Sequence, residues 1–393
     1  MKRKIVIVSY QFQKKNLRLQ PWRYVYELAI RLPKYGWSVS VLTDKYSGVI
    51  ENINDIALQE LTEISPYAKN KLLFFLDKLS PDIILWPLGA KSIAYIPILA
   101  KLKIRIAGYI PGPILKTSDF FAAYKAKLPK ECFAAALWVL ACKFRWGKLM
   151  KSFCHEFIVL SDENRRKMVS MGVDQSMIHT ITAGRDKKIE NSNHLYREKI
   201  LTAVTHHPES EKVALFMGWP TRVRGIELLL NSFTLVARKY NNLRLKILAR
   251  GKDSDAHKKL HFLVKRHFAR KKIEVIDGFL NKNDVQSHIK KCDFGILPFI
   301  QVPADRPISF LEFFAAGKPV VSTDVSGISE LIGEDRGAMS NGCNPRKLAE
   351  QILKFAKMSD IEFMKFRNAC LSFIRTYPDW DEIALKLSKV LEI

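Results

Sequence analysis

Short apolar runs rich in β-branched residues alternate with amphipathic stretches along most of the chain. In the first half these runs lie at residues 4–8, 39–43, 83–86, 104–109 and 157–160. In the second half they lie at residues 213–217, 245–249, 273–276, 294–297 and 319–323. Apolar strands that alternate with crossover helices are typical of parallel sheets covered on both faces. The pattern therefore predicts an α/β protein with two doubly wound, Rossmann-like domains that face a cleft.

A polar stretch without strong apolar periodicity separates the two series of strands, between residues 184 and 211. We place the linker there, which gives a first domain at residues 1–186 and a second domain at residues 211–376. Residues 380–393 follow a break at Pro378 and carry apolar residues at helical spacing. We expect this last segment to form a separate helix that packs back on the first domain.

The composition fits two folded domains and narrows the class of partner. The chain has 393 residues, of which 48% are hydrophobic, so a disordered protein is excluded. The formal net charge of +25 favours an anionic partner, which is a nucleic acid, an acidic lipid or a phosphorylated small molecule. The charge alone does not choose among these three classes.

The cysteines and the N-terminal residues favour a cytoplasmic location. The 6 cysteines are scattered without a CxxC pair and no histidine cluster has ligand spacing, so neither a zinc site nor a disulfide framework is predicted. Residues 1–10 suit a buried first strand better than a signal peptide. The longest apolar run, residues 132–142, is roughly half the ~20 residues that a spanning helix needs. We expect a cytoplasmic protein, with peripheral attachment to the inner face of the membrane as an option.

A strand, a basic loop and a helix open the second domain. Gly218 follows the predicted strand at residues 213–217, Arg222 and Arg224 lie in the loop, and a helix begins near Ile226. Backbone amides beside a glycine, a helix N-terminus and two guanidinium groups are suited to hold a pyrophosphate. The same order of elements is also an ordinary turn of an α/β unit, and both interpretations stay open here.

A longer string in the second domain is more specific. Residues 292–298, CDFGILP, precede residues 305–321, DRPISFLEFFAAGKPVV. This string resembles the donor-binding segment of the GT-B glycosyltransferases of family 4, in which a strand ends at proline and a later helix carries a glutamate before an Ala-x-Gly-x-Pro-Val turn. The resemblance extends over essentially the whole chain, with the first half matching mainly by pattern. It implies a sugar transfer from a nucleotide sugar with retention of the anomeric configuration.

The resemblance implies roles for a set of donor-binding residues. Glu312 corresponds to a carboxylate that accepts hydrogen bonds from the donor ribose hydroxyls. Arg224 stands where the family has lysine and is expected to balance the charge of the leaving nucleoside diphosphate, with Arg222 as its partner. The backbone N–H groups of Ile308, Ser309 and Phe310, at a helix start, are expected to meet the diphosphate. The predicted donor-binding residues are Gly218, Arg222, Arg224, Asp305, Pro307, Ile308, Ser309, Phe310 and Glu312.

Two positions in the second domain depart from the family's pattern. The family has a further glutamate eight positions before Glu312, where this chain has Ala304 and the nearest acid is Asp305. In one interpretation Asp305 contacts the transferred sugar, and in the other it forms a surface ion pair with Arg306. Trp219 stands where the family often has an arginine directly after the glycine.

The resemblance assigns the acceptor to the first domain. The family's glycine-rich loop after the first strand is replaced by residues 16–22, which contain no glycine. Our candidates for the acceptor side are Gln20, Trp22, Arg23 and Tyr109. A packed tryptophan and a solvent-facing arginine at a helix start are the alternative interpretation of this loop. The histidine that many members have is absent from residues 108–113, so no catalytic base is assigned.

The string Asp253-Ser254-Asp255 looks like the metal-binding Asp-x-Asp of the other major glycosyltransferase fold. It follows a strand in a loop whose order does not match that fold, so we interpret it as a polar turn. We therefore expect neither a metal nor a cofactor.

Residues 116–153 combine bulky aromatic side chains with many basic ones. The aromatic members include Phe120, Phe121, Tyr124, Phe133, Trp138, Phe144 and Trp146. Interfacial helices that lie on anionic lipid have this composition, which favours a peripheral membrane contact. A pair of crossover helices with solvated lysines is the alternative.

Together these features predict a hexosyl-type glycosyltransferase that uses a UDP- or GDP-sugar and a lipid-linked or growing glycan acceptor, without nucleic acid. One alternative is an inactive relative that binds a nucleotide sugar, which Trp219, Ala304 and the missing histidine favour. The other is a nucleic-acid-binding α/β protein, which the net charge and the basic cluster at residues 258–272 favour.

Overall fold

The computed structural model describes residues 2–44, 56–61, 64, 69–89, 92–187, 211–251, 254–278, 280–302 and 304–392. Within these residues the chain forms two parallel β-sheets with helices on both faces. The α/β class and the two Rossmann-like domains predicted from the sequence are therefore confirmed. Most of the predicted linker, residues 188–210, lies outside the described residues.

The first sheet has the strand order β3-β2-β1-β4-β5-β6-β7. Its strands are β1 Arg3–Val8, β2 Trp37–Asp44, β3 Ala57–Leu61, β4 Ile83–Pro87, β5 Arg105–Ile110, β6 Glu156–Val159 and β7 Ile178–Thr180. Along β1, Ile5 and Ile7 join the core on one face, and Val6 and Val8 join the core on the other. Both faces of the strand are apolar because both are covered.

The second sheet has the strand order β10-β9-β8-β11-β12-β13. Its strands are β8 Lys212–Gly218, β9 Leu243–Arg250, β10 Ile273–Gly278, β11 Phe294–Leu297, β12 Val320–Thr323 and β13 Gly337–Ser340. Ala214 and Phe216 point into one core, and Leu215 and Met217 into the other. The second domain is thus doubly wound in the same way as the first.

The described helices connect these strands. In the first domain they are α1 Trp22–Ala29, α2 Lys69–Leu79, α3 Ile96–Leu99, α4 Thr117–Lys125, α5 Pro129–Lys143, α6 Gly147–Met150 and α7 Asp162–Ser170. In the second they are α8 Ile226–Lys239, α9 Asp255–Lys265, α10 Lys282–Lys291, α11 Ile308–Ala315, α12 Ile328–Ile332, α13 Pro345–Lys357 and α14 Asp360–Thr376, followed by α15 Trp380–Glu392. Each described helix is too short or too polar to cross a bilayer.

The last helix, α15, packs on the first domain. Its apolar residues, such as Trp380 and Leu387, belong to the same core as β1 and α1. Trp37 donates from Nε1 to the hydroxyl of Ser388 over 2.8 Å. At the point where the chain passes from the second domain back to the first, Gly184 lies close to Trp380. A Cβ added to Gly184 would be 2.7 Å from the backbone nitrogen of Trp380. Two connections therefore join the domains, one near residue 184 and the other near residue 380.

Candidate active site

The carboxyl ends of the two parallel sheets face each other, and the loops that follow them meet. Asp305 donates its backbone N–H to the carbonyl of Pro111 over 3.0 Å, which joins the loops after β11 and β5. Arg306 donates from Nε to the carbonyl of Leu160, directly after β6, over 3.3 Å. Ligands of open α/β sheets bind at such strand ends. The junction between the domains is therefore the place to look for the site.

The turn after β8 is built to place a guanidinium group at the sheet edge. Gly218 has a φ of 149°, and a Cβ added there would lie 3.2 Å from Nη1 of Arg224. Gly225 has a φ of 76°, and its Cβ would lie 1.7 Å from the carbonyl oxygen of Pro298 at the end of β11. Both positions therefore require glycine, one to admit the arginine and the other to let α8 start against the neighbouring strand.

Arg224 is a half-buried cation without a carboxylate partner in the part of the chain that the structure describes. Its guanidinium carbon lies 5.9 Å from the ring centroid of Phe299. Burial and, second to it, the positive charge of Arg250 together lower the pKa of Arg224 to about 10. An unpaired, partly desolvated cation gains free energy from a bound anion.

Arg222, the second arginine predicted for this loop, lies in a different environment. Its Nε is 3.0 Å from Glu227 Oε1, and its Nη1 donates to the carbonyl of Ala126 over 3.4 Å. Glu227 is also paired with Lys259 at 2.6 Å. The charge of Arg222 is therefore already balanced within the protein, unlike that of Arg224.

The first turn of α11 is held by a side chain from the other domain. Ile308 donates its N–H to Oε1 of Gln20 over 3.0 Å, and Gln20 donates from Nε2 to the carbonyl of Arg306 over 3.1 Å. Phe310 donates its N–H to the carbonyl of Pro307 over 3.1 Å. Two of the three N–H groups predicted to face a diphosphate are thus engaged within the protein. Ser309, the third, is partly buried in the same turn.

Glu312 lies one turn further along α11, at the domain junction. Its side chain is 29% exposed, and Oε1 is 3.8 Å from Nη1 of Arg23 in α1. Arg23 also contacts Asp186 at 2.6 Å and Glu27 at 3.4 Å. Burial disfavours the charge of Arg23, but the carboxylates of Asp186, Glu312 and Glu27 raise its pKa above the usual value. Glu312 therefore presents a carboxylate that is not fully occupied by its protein partner.

Asp305 is buried at the contact between the two domains. It is 1% exposed, and its Oδ2 accepts a hydrogen bond from Nδ2 of Asn164 over 3.0 Å. Burial raises its pKa to about 7, although a hydrogen bond from Ser161 and the charge of Arg306 act in the opposite direction. Arg306 forms its ion pair with Glu330. Of the two interpretations of Asp305, the surface pair with Arg306 is thus not the arrangement that the structure has.

The four acceptor-side candidates divide into two pairs. Gln20 and Arg23 reach across to α11, as described above. Trp22 donates from Nε1 to the carbonyl of Tyr10 over 2.7 Å, and Tyr109 is buried with its hydroxyl bonded to the carbonyl of Val8 over 3.0 Å. Tyr109 therefore has the surroundings of a core residue.

The last residue of β9, Arg250, was not among the predicted site residues, and the loop after β9 contains the Asp-x-Asp string. Asp253 lies outside the described residues, Ser254 precedes α9, and Asp255 begins that helix. Trp219, about half exposed, donates from Nε1 to the Ser254 hydroxyl over 3.3 Å. Arg250 ends β9 beside Arg224. A basic residue at the carboxyl end of a predicted strand was the signal that could have identified it.

The helices α4 and α5 leave large apolar side chains on the surface. Phe121, Tyr124, Phe133, Leu140 and Phe144 are exposed. On α5, Phe133, Leu140 and Phe144 are spaced so that they share one helix face. Trp138 is buried and faces the core. We call the exposed set, with its basic neighbours on these helices, the α4–α5 surface.

Comparison with known sequences identifies one family model and two curated relatives that match part of this chain. Residues 198–370 match the family model described as glycosyl transferases group 1. An uncharacterized glycosyltransferase of Methanocaldococcus jannaschii is 30% identical over 188 residues, which cover 47% of this chain and 46% of the relative. A second one from this organism is 23% identical over 213 residues, 53% of this chain and 55% of the relative. The chain thus spans about half the length of the curated relatives it matches.

Solved structures match along the whole chain. The sucrose-phosphate synthase of Thermosynechococcus elongatus has a TM-score of 0.73 at 15% identity, covering 100% of this chain and 98% of that one. A glycosyltransferase of Rickettsia africae has a TM-score of 0.69 at 15% identity, covering 100% and 99%. An Anabaena protein crystallised with UDP-glucose has a TM-score of 0.69 at 13% identity, covering 99% of both chains. At these identities the likeness shows the fold, which is GT-B.

Proposed function

We propose, on the premise that residues 198–370 belong to the family of group 1 glycosyl transferases, that this protein transfers a sugar from a nucleoside-diphosphate sugar to an acceptor. In such a reaction the bond between the anomeric carbon and the donor phosphate breaks, and a bond to an acceptor hydroxyl forms. Negative charge develops on the leaving diphosphate, so the site has to supply positive charge.

The observation that carries the proposal is the guanidinium of Arg224. It lies at the carboxyl edge of the second sheet, against Gly218, and within the described residues it has no carboxylate partner. A guanidinium group binds phosphate oxygens in a bidentate manner. Arg224 is therefore suited to hold the diphosphate of the donor and to stabilise it as it leaves.

Glu312 supports the same proposal from α11. Phe299, under Arg224, has its ring centroid 6.4 Å from that of Phe310, two residues before Glu312. The arginine and the carboxylate therefore belong to one packed neighbourhood. We assign Glu312 to the ribose hydroxyls, with its 3.8 Å contact to Arg23 fixing the carboxylate. UDP-sugar and GDP-sugar donors both satisfy this arrangement, and the Anabaena structure with UDP-glucose supports the former.

The stereochemistry implied by the resemblance is retention. In that route the acceptor hydroxyl passes its proton to an oxygen of the departing donor phosphate, so the protein needs no base of its own. The protein's part is then to position the two substrates and to stabilise the diphosphate. Gln20 and Arg23, which reach α11 from the first domain, are the residues that we assign to the acceptor side of this junction.

We assign the α4–α5 surface to an anionic membrane, with a lipid-linked or glycan acceptor. Its exposed aromatic residues, such as Phe121 and Phe144, lie beside exposed lysines, among them Lys125, Lys130 and Lys143. Basic side chains attract acidic lipid headgroups while aromatic rings enter the interface. The helix α4 also contacts the second domain, because Gln301 donates to the carbonyl of Asp119 over 3.1 Å. A membrane bound here would lie near the cleft.

The proposal is tested by thermal denaturation of the full chain with UDP, GDP and ADP and their sugar conjugates. A ligand that binds only the folded state raises the melting temperature. We expect one nucleotide to stabilise the protein selectively and Glu312→Ala to reduce that shift. Glu350→Ala, which removes an exposed carboxylate from α13, is the control and should keep the shift. Stabilisation by no nucleotide would contradict the proposal.

A second candidate is a relative that binds a nucleotide sugar without turning it over. Two observations favour it. Asp305 is buried between the domains with Asn164 as its hydrogen-bond partner, and the N–H of Ile308 already donates to Gln20, so both groups are occupied within the protein. This candidate predicts the same stabilisation by a nucleotide, but no hydrolysis of the nucleotide sugar in the absence of acceptor.

A further inference from the structure

The strand next to β8 ends in a second arginine. β8 and β9 pair in parallel, with Gly218 opposite Ala249, so Arg250 follows directly at the same sheet edge. A Cβ added to Gly251 would lie 3.8 Å from the ring of Trp219, which shows how closely the two strand ends approach. Arg250 is therefore beside the turn that positions Arg224.

The arginines of the junction fall into two groups by their charge partners. Arg23, Arg222 and Arg306 each form an ion pair with a carboxylate, from Asp186, Glu227 and Glu330 respectively. Arg224 and Arg250, in contrast, have no acidic partner among residues 211–251, 254–278 and the other described ranges. The two like charges lie close enough for Arg250 to oppose the charged form of Arg224.

Two neighbouring cations that have no counterion within the described ranges are suited to one polyanionic ligand. A nucleoside diphosphate carries more than one negative charge. Each guanidinium group can donate two parallel N–H hydrogen bonds to the phosphate oxygens of that ligand. A bound diphosphate replaces the repulsion between the arginines with two attractions. Trp219, the residue directly after Gly218, supplies no charge, so the second cation has to come from elsewhere.

We infer that Arg250, together with Arg224, binds the diphosphate of the donor, and that Arg222 does not take part. This inference rests on the proposed function and names the second cation of that site. Arg222 is instead a structural residue, because it joins Glu227 and the carbonyl of Ala126.

Calorimetric titration of the full chain with UDP, GDP and ADP tests this inference. With the nucleotide that the unaltered protein binds, Arg250→Ala should raise the Kd roughly 10- to 100-fold, as expected for a charge-assisted hydrogen bond. Arg250→Lys keeps the charge without the planar fork and should give a smaller loss. Arg222→Ala is the matched control and should change the Kd less than about 3-fold.

Two further measurements are needed. One shows whether Arg250→Ala alters folding, and the other distinguishes failure of this inference from failure of the proposed function. Arg250→Ala removes no ion pair among the described residues, so without nucleotide its melting temperature should match that of the unaltered chain. If Arg224→Ala abolishes binding while Arg250→Ala leaves the Kd unchanged, the inference is wrong and the proposed donor site stands. If the unaltered protein binds no nucleoside diphosphate, both are wrong.

Discussion

At the scale of single residues, a buried carboxyl group links the stability of the domain junction to pH. Burial raises the pKa of Asp305 from 3.8 to about 7 in the folded protein, whereas in the unfolded chain the group ionises near 3.8. Between these values the unfolded state releases the proton and the folded state keeps it. The stabilising contribution of the protonated group is therefore full below about pH 4 and is lost as the pH rises towards 7.

Asp305→Asn tests this linkage. The amide keeps an oxygen that can accept from Asn164 but does not ionise, so the variant should be more stable than the unaltered protein at pH 8, by on the order of 1–3 kcal/mol. At pH 4 the two proteins should have similar free energies of unfolding. Denaturant unfolding at both pH values gives the comparison. An equal difference at the two pH values would show that folding does not raise the pKa of Asp305, which would contradict this linkage.

The residues of the site differ in how far the sequence could predict them. Arg224 and Glu312 lie in recognisable strings, so their positions at the junction followed from the motif. Arg250 does not lie in such a string, because the role that we infer for it depends on the pairing of β9 with β8 and on its having no carboxylate partner among the described residues. The partners of Arg306 and Asp305 come from α12 and α7, and such long-range pairs are not visible in one sequence.

At the scale of elements, the sequence predicts every strand in the interior of the two sheets but misses some of the strands at their edges. All ten predicted runs overlap a strand, and β3, β7 and β13 were not predicted. These three lie at sheet edges, where the residues ALQEL, IHT and GAMS mix polar and apolar side chains. Central strands are covered on both faces and need continuous apolar runs, whereas edge strands do not.

The helices α4 and α5 are the elements that carry the proposed membrane contact. Phe133 and Phe144 are 56% and 63% exposed on one face of α5, so replacing both by serine should not reduce stability. The double variant should bind vesicles containing anionic phospholipid roughly tenfold more weakly, because two rings no longer enter the interface. Co-sedimentation with vesicles measures this.

Ile361→Ser is the control for the vesicle experiment. Ile361 is 78% exposed on α14, in the second domain, and its replacement removes a similar apolar side chain from another surface. Unchanged vesicle binding in the double variant, or an equal loss in the control, would contradict a specific role for the α4–α5 surface. Binding that requires RNA or DNA instead of lipid would favour the nucleic-acid alternative.

At the scale of the whole molecule, two parallel sheets place their carboxyl ends at a common junction. The last described helix, α15, packs on the first domain. The contacts across the junction come from both sides: Gln20 holds the start of α11, Asn164 holds Asp305, and Arg306 bonds to the carbonyl of Leu160. Arg224 and Glu312, which we propose as donor-binding residues, both belong to the second domain. Relative movement of the domains would assemble or release this site.

The most direct test of the central claim is the release of a nucleoside diphosphate from nucleotide sugars by the purified protein, without acceptor and followed by phosphorus NMR. We predict slow hydrolysis of one donor, reduced roughly 100-fold in Arg224→Ala because that variant cannot stabilise the leaving diphosphate. Hydrolysis unaffected by Arg224→Ala would contradict the assigned site. Tight nucleotide binding without hydrolysis of any donor would contradict the transferase and leave the inactive relative.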